Sequence, residues 1–161
     1  MKSIVLISLL LAIFACEDTK PAIDNVDFRQ EMRNFVQKLS TWAKSQDPTF
    51  SIIPQNGQEL ITDTGAGDGE PQTDYLAAID ATGRESMFFG YYADDEQTPE
   101  EDKQHLLDLC ILCEANQVEV INTDYCYTHS KMDASYALNE QYGFTSFAAD
   151  HRDLNDIPNY P

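Results

Sequence analysis

Basic residues are scarce: ten Lys and Arg stand against 28 Asp and Glu, a formal net charge of −18. A field of that sign repels nucleic acid and favours cationic partners, so nucleic-acid binding is excluded. A phosphate-cradling glycine loop is also missing. The one glycine-rich run, Gly65-Ala66-Gly67-Asp68-Gly69, carries an acid and no Lys, which leaves a nucleotide nothing to bind. Of four cysteines only Cys110 and Cys113 are close, and no second pair or histidine cluster completes a zinc site. His105, His129 and His151 are scattered without ligand-like neighbours, so no metal and no cofactor is expected. The apolar run Ile4 to Phe14 is too short for a membrane-spanning helix.

That run has instead the length of a signal-peptide core. Lys2 supplies a positive start and Ile13-Phe14-Ala15-Cys16 has the form of a bacterial lipobox, so cleavage before Cys16 would leave an exported protein held to the cell-envelope membrane by a lipidated cysteine. Residues 1–15 are then a lipoprotein signal peptide and residues 16–23, with Lys20-Pro21, a tether. A plain signal peptide with an incidental Cys16 is the rival reading. Residues 24–161 suit one domain with a real core.

Phe28, Met32, Phe35, Leu39 and Trp42 recur at spacings of three and four, with Val36 and Ala43 widening the stripe. They predict an amphipathic helix of about 18 residues, N-capped by Asp27. Asp47-Pro48 ends it, and Thr49 to Ile53 reads as a strand running into Pro54-Gln55-Asn56-Gly57, where a short helix starts. Residues 62–73 are loop-like, and Tyr75 to Ile79 leads towards Asp80. Thr98-Pro99-Glu100-Glu101 has the form of a capping box opening a helix to about Asn116, which buries Leu106, Leu109, Cys110 and Cys113. Cys110 and Cys113 have redox spacing, but mid-helix they read better as core residues. Val118 to Tyr125 is a strand, Asp133 to Gln141 a helix stopped by Gly143, and Phe144 to Ala149 a strand delivering Asp150-His151-Arg152.

Alternating strands and helices predict an α/β fold with about four parallel strands. Each strand ends in polar groups: Gln55 and Asn56, Asp80 to Glu85, Asp124 and Tyr125, Asp150 to Arg152. Polar C-terminal strand ends on one side define the active face of a (β/α) barrel or open sheet. The plainer reading of Ala78 to Glu96 is an acidic, solvated loop.

Several of these segments, in order, resemble a known family. They are Asp24-Asn25-Val26-Asp27, Pro54-Gln55-Asn56-Gly57, Ala78-Ile79-Asp80 with Gly83-Arg84-Glu85 and Phe89-Gly90-Tyr91, Asp124-Tyr125-Cys126, and Phe147-Ala148-Ala149-Asp150. The resemblance is to glycoside hydrolase family 114, the endo-α-1,4-polygalactosaminidase-like proteins, and covers roughly residues 22–161. It implies a partial (β/α)₈ TIM barrel, strands five to eight, with Asp24 and Glu85 as the catalytic carboxylates. Asp27, Gln55, Asn56, Asp80, Arg84, Tyr91, Asp124, Tyr125, Asp150 and Arg152 become substrate-binding candidates, with Arg84 beside Glu85 favouring an ionised carboxylate. The implied substrate is a cationic amino-sugar polysaccharide, which an acidic protein attracts.

A full barrel takes about 200 residues or more, so a match starting at strand four leaves a truncated or inactive member, or a half that pairs with itself or with a complementary half barrel. A non-catalytic lipid-anchored surface or binding module that retains the fold is the alternative. Two acyl chains hold a protein stably where one does not, so Cys16→Ser should move the protein from the membrane to the soluble fraction; retention on the membrane would sink the lipobox reading.

Overall fold

A computed structural model of the protein describes residues 26–160. Cys16, Asp24, the signal peptide and the tether therefore lie outside the described residues. The order is helix α1 (Phe28–Gln46), a 3₁₀ turn (Gln58–Leu60), α2 (Thr73–Leu76), β1 (Ala81–Glu85), α3 (Glu100–Ala115), β2 (Glu119–Tyr125), α4 (His129–Tyr142) and β3 (Thr145–Ala149).

The fold is α/β, with a parallel sheet of order β1-β2-β3 among the described residues. Sequential order matters. Right-handed crossovers between neighbouring strands place α3 and α4 on the same face, and the opposite face keeps no helix from these connections. On the helix side, Val120, Asn122 and Asp124 of β2 are fully buried, and Asn122 Nδ2 donates to Asn139 Oδ1 of α4 at 3.0 Å. On the other side Ile121, Thr123 and Phe147 stay half-buried. The helix-side core joins Leu106, Leu109, Cys110 and Cys113 of α3 with Val118, Val120, Met132, Phe144 and Ala148. Burial pushes the Cys113 thiol up to about 12 and raises that of Cys110 as well. Both thiols are inert core groups.

Four expectations need correction. The strand over Thr49 to Ile53 is extended chain beside β1, and it meets the sheet at a single parallel bridge, Gln55 to Gly83. Gly83 N donates to Pro54 O and Asn56 N to Gly83 O, each at 2.8 Å, but Pro54 has no N–H, so the ladder cannot extend backwards. Tyr75 to Ile79 is no strand lead-in: Thr73–Leu76 is a helical turn and the strand starts at Ala81. Thr98 does not cap α3. Its hydroxyl donates to Ser86 O at 2.9 Å, and Pro99 holds the cap position. Helix α4 starts at His129, four residues earlier than its pattern suggests, while Gly143 stops it in the left-handed region at φ 78° as expected.

The largest departure concerns α1. Asp27 caps it, accepting from Gln30 N at 3.0 Å, but the stripe Phe28, Met32, Phe35, Leu39 and Trp42 faces outward. The helix is tied down by its other side. Arg33 Nε donates to Leu60 O at 2.7 Å and its Nη2 to Thr62 O, Ser40 Oγ donates to Ala78 O at 2.6 Å, and Lys44 pairs with Asp80 at 2.9 Å. Only Ala43 and part of Val36 from the apolar set turn inward.

Asp124 holds the chain after β1 in place. Its carboxylate accepts from Phe88 N at 2.9 Å, Phe89 N at 3.2 Å and Ser135 Oγ at 2.7 Å. Asp124→Ala would leave buried donors unpaired and should cost on the order of 3 kcal/mol, with a much smaller loss for Asp124→Asn, which keeps an acceptor oxygen. Urea unfolding of the two variants checks this; equal losses would show that the oxygen is not what matters.

Candidate active site

Side chains alternate across a strand, so where Arg84 turns to the helix side, Glu85 turns to the open face at the C-terminal end of β1. There it meets groups from two neighbouring segments. Tyr125 OH, at the end of β2, donates to Glu85 Oε1, and Asn56 Nδ2 donates to Oε2 at 3.0 Å while Asn56 Oδ1 accepts from Glu85 N at 3.2 Å. The bond from Tyr125 is the main reason the Glu85 carboxyl lies below its ordinary value; burial opposes it, and Asn56, Gln55 and the Arg152 charge add to it. Glu85 is therefore an ionised carboxylate, suited to act as base or nucleophile and not as proton donor. Burial, then Glu85 itself, pushes Tyr125 up to about 12, so the phenol keeps its proton.

Two glycines make the site possible. A Cβ at Gly83 would lie 2.0 Å from Gln55 Oε1, so only glycine lets Gln55 reach over β1. Gly90, at φ 100°, lies against Tyr125, and an added Cβ would come within 2.8 Å of the Tyr125 Cβ. The Arg152 guanidinium stacks 4.2 Å from the centre of the Tyr125 ring, donates through Nε to Asp94 Oδ1 at 2.6 Å and through Nη2 to Gly90 O. This pins the loop after β1 and the loop after β3 to the same tyrosine.

Glu85, Tyr125, Asn56, Gln55 and Arg152 thus come together. The other sequence candidates do not join them. Asp80 precedes β1, so it sits at the opposite end of the strand, accepting from Ile52 N at 2.7 Å and pairing with Lys44. Arg84 reaches Gln58 Oε1 at 3.4 Å, its Nε is buried without a partner, and the groups that chiefly lower Glu85 are Tyr125, Asn56, Gln55 and Arg152 instead. Asp124 is fully buried on the helix side, and burial raises its pKa. Asp27 is a helix cap. Tyr91 is partly exposed and packs edge-on against Tyr92 at 4.9 Å.

Asp150 follows β3, and His151 beside it has the neighbours its sequence context did not reveal. His151 Nδ1 lies 2.5 Å from Asp150 Oδ1, and Nε2 lies 2.9 Å from Asn155 Oδ1 and 3.2 Å from Asp156 Oδ1. Both ring nitrogens face acceptors, which suits the doubly protonated ring; Asn155 first and Asp150 next raise its pKa. Asp150, His151 and Asp156 offer one ligand atom each within 4.8 Å of one another. With the ring protonated, the arrangement is an ion-pair cluster.

Sequence reasoning missed Asp94 and Asp95, which fell within the stretch whose plainer reading was an acidic, solvated loop. Asp95 accepts from Tyr127 N, Thr128 N, Thr128 Oγ1 and Lys131 Nζ at 2.7–3.0 Å, capping α4 from outside its own segment. Burial pushes its pKa up, but the bonds from Thr128, Lys131 and Tyr127 outweigh that and bring it to about 2. Its φ is 64°, in the left-handed region that Asp tolerates.

No family model matches the chain. An uncharacterized protein of Deinococcus radiodurans is 38% identical over 79 residues, 49% of this chain. The match spans 22% of that relative's length. Among the described residues, no helix is long and apolar enough to cross a membrane.

Because the fold holds Glu85 below its ordinary 4.5, its contribution to stability is complete above that pH and is lost as pH falls through the folded value. Tyr125→Phe removes the largest cause, so a carbon-detected NMR titration should show the Glu85 carboxyl moving upward; an unmoved titration would mean that Tyr125 does not set it.

Proposed function

We propose that this chain is part of a glycoside hydrolase-like (β/α) barrel, its 52–56 segment and β1 to β3 corresponding to four neighbouring barrel strands. The substrate is an α-1,4-linked galactosamine polysaccharide, bound across the C-terminal strand ends. The observation that carries the reading is Glu85, an ionised carboxylate at a parallel-strand terminus, fixed by Tyr125 and Asn56. Glycoside hydrolysis needs two carboxylates flanking the bond. Glu85 takes the base or nucleophile role, and the proton donor is assigned to Asp24. Asp94 and Asp150 add negative charge for the ammonium groups of the sugar, and Tyr91 offers a ring face. Attachment to the outside of a bacterial membrane through Cys16 fits a polymeric substrate that stays outside the cell.

A second reading, a non-catalytic lipid-anchored module that binds the same polymer, is favoured by one observation. The matching region is a small share of its much longer relative, so an active site can draw on segments beyond those it includes.

Reducing-end release from α-1,4-galactosamine oligosaccharides, with binding followed by calorimetry, separates the two. Weak cleavage by the full chain that falls about 10²- to 10⁴-fold in Glu85→Gln supports the hydrolase. Binding without cleavage supports the module, and cleavage unaffected by Glu85→Gln sinks the site.

A further inference from the structure

The outward stripe of α1 has the spacing of a coiled-coil seam. Steps of four, three, four and three residues from Phe28 to Trp42 place Met32 and Leu39 at one heptad position and Phe28, Phe35 and Trp42 at the other. These five side chains are 43–65% exposed. The apolar surface continues past Val36 and Leu39 into a groove of about 290 Å³ walled by Phe50, Ile52, Ile53 and Pro54. Taking ~150–250 Å² for a large side chain, the stripe with Phe50 and Ile53 leaves on the order of 700 Å² of apolar surface in water. That exceeds the ~300–600 Å² patch of an ordinary monomer and approaches the ~800 Å² each partner gives a stable interface.

We propose that this face is the contact between two copies of the chain, formed by two α1 helices packed antiparallel about a two-fold axis beside Phe35. Phe35 is the middle of the stripe, so a two-fold there lays Phe28 against Trp42 of the second copy and closes the apolar seam on itself, as an isologous contact requires. Charge selects the orientation. Glu31 and Lys38, seven residues apart, occupy the same flanking position of the heptad and are both exposed. Antiparallel packing brings Glu31 of each copy beside Lys38 of the other, whereas parallel packing sets them against Val36 and Ala43. A lipid surface fits less well. Of the four basic residues on α1, Arg29, Arg33 and Lys44 are bonded within the domain, and Lys38 alone is a poor match for the Lys- and Arg-rich polar face of membrane-lying helices. This contact is independent of the hydrolase reading and uses none of the side chains that bond Glu85.

Sedimentation velocity of the full chain over a concentration series tests it. A dimer at micromolar concentration is expected, weakened at least about 100-fold by Phe35→Glu with Trp42→Glu, two aromatic anchors of the seam, with an unchanged far-UV circular dichroism spectrum. If that double variant fails to fold, the exposed charge pair still decides. Lys38→Glu should weaken the dimer, and Glu31→Lys combined with Lys38→Glu should restore it, because residues seven apart do not touch within one helix. A monomer at every concentration would overturn the proposal, pointing to residues 1–25, a lipid surface or a complementary half barrel as what covers the stripe. So would a dimer indifferent to the stripe variants, or a Lys38→Glu loss that the reversed pair does not repair.

Discussion

One buried carboxylate joins the parts of this fold. Asp124 lies on the helix side of β2 and accepts bonds from the chain leaving β1, through Phe88 N and Phe89 N, and from α4, through Ser135. A buried carboxylate is costly unless its oxygens are filled, and here the donors come from two separate elements. The result is a fixed exit for β1. Without it, the loop carrying Gly90 and Asp94 would have no reason to return over β2, and Arg152 would have nothing to bind there.

The next residue in the chain does the opposite job. Because strand side chains alternate, Tyr125 points to the open face and bonds Glu85, while Asp124 points to the helices. The dipeptide therefore couples the stability of the helix layer to the geometry of the candidate site. Thr98 contributes from a third direction by bonding Ser86 O, which holds Ser86 at a φ of 58°. Strain of this kind persists where the surroundings over-determine it, and it collects at sites whose geometry must be held. Here it falls on the residue directly after Glu85.

Much of this was legible in the sequence, and the misses have physical causes. The helices α1 and α3, the strands β2 and β3 and the stop at Gly143 followed from periodicity, the Asp27 cap and the helix-breaking proline and glycine, which are local. The strand over Thr49 to Ile53 failed because a parallel ladder needs a donor at every second residue and Pro54 has none. Asp80 was placed at the wrong end because Tyr75 to Ile79 is apolar enough to read as a strand, and the true strand, Ala81–Glu85, contains a glycine and two charges. Its glycine is there for Gln55, a contact no local pattern encodes. Of the candidate cluster, Glu85, Tyr125, Gln55, Asn56 and Arg152 were named in advance because strand ends can be read in order. Arg84 and Asp124 were mistaken for members because adjacency along a strand does not mean adjacency on a face. Asp95 was invisible as a cap because the helix it serves starts 34 residues later.

Helix α1 carries this lesson furthest. Periodicity established that it has an apolar face, and that is so; which side the domain occupies was a separate question that the period could not answer. The domain took the polar side, spending Arg33 on two carbonyls, Ser40 on a third and Lys44 on Asp80. Hydrogen bonds of this type contribute about 0.5–1.5 kcal/mol each, enough together to seat a helix but not to offset five large apolar side chains left in water at ~25 cal/mol per Å². A chain that only needed α1 as a lid would gain by turning it over or by replacing the stripe with polar residues. Retaining Phe28, Phe35 and Trp42 on the outside makes physical sense where water is not their final environment, and the arginine and serine anchors then have a second effect: they fix which residues the helix presents, and so the register any partner must match.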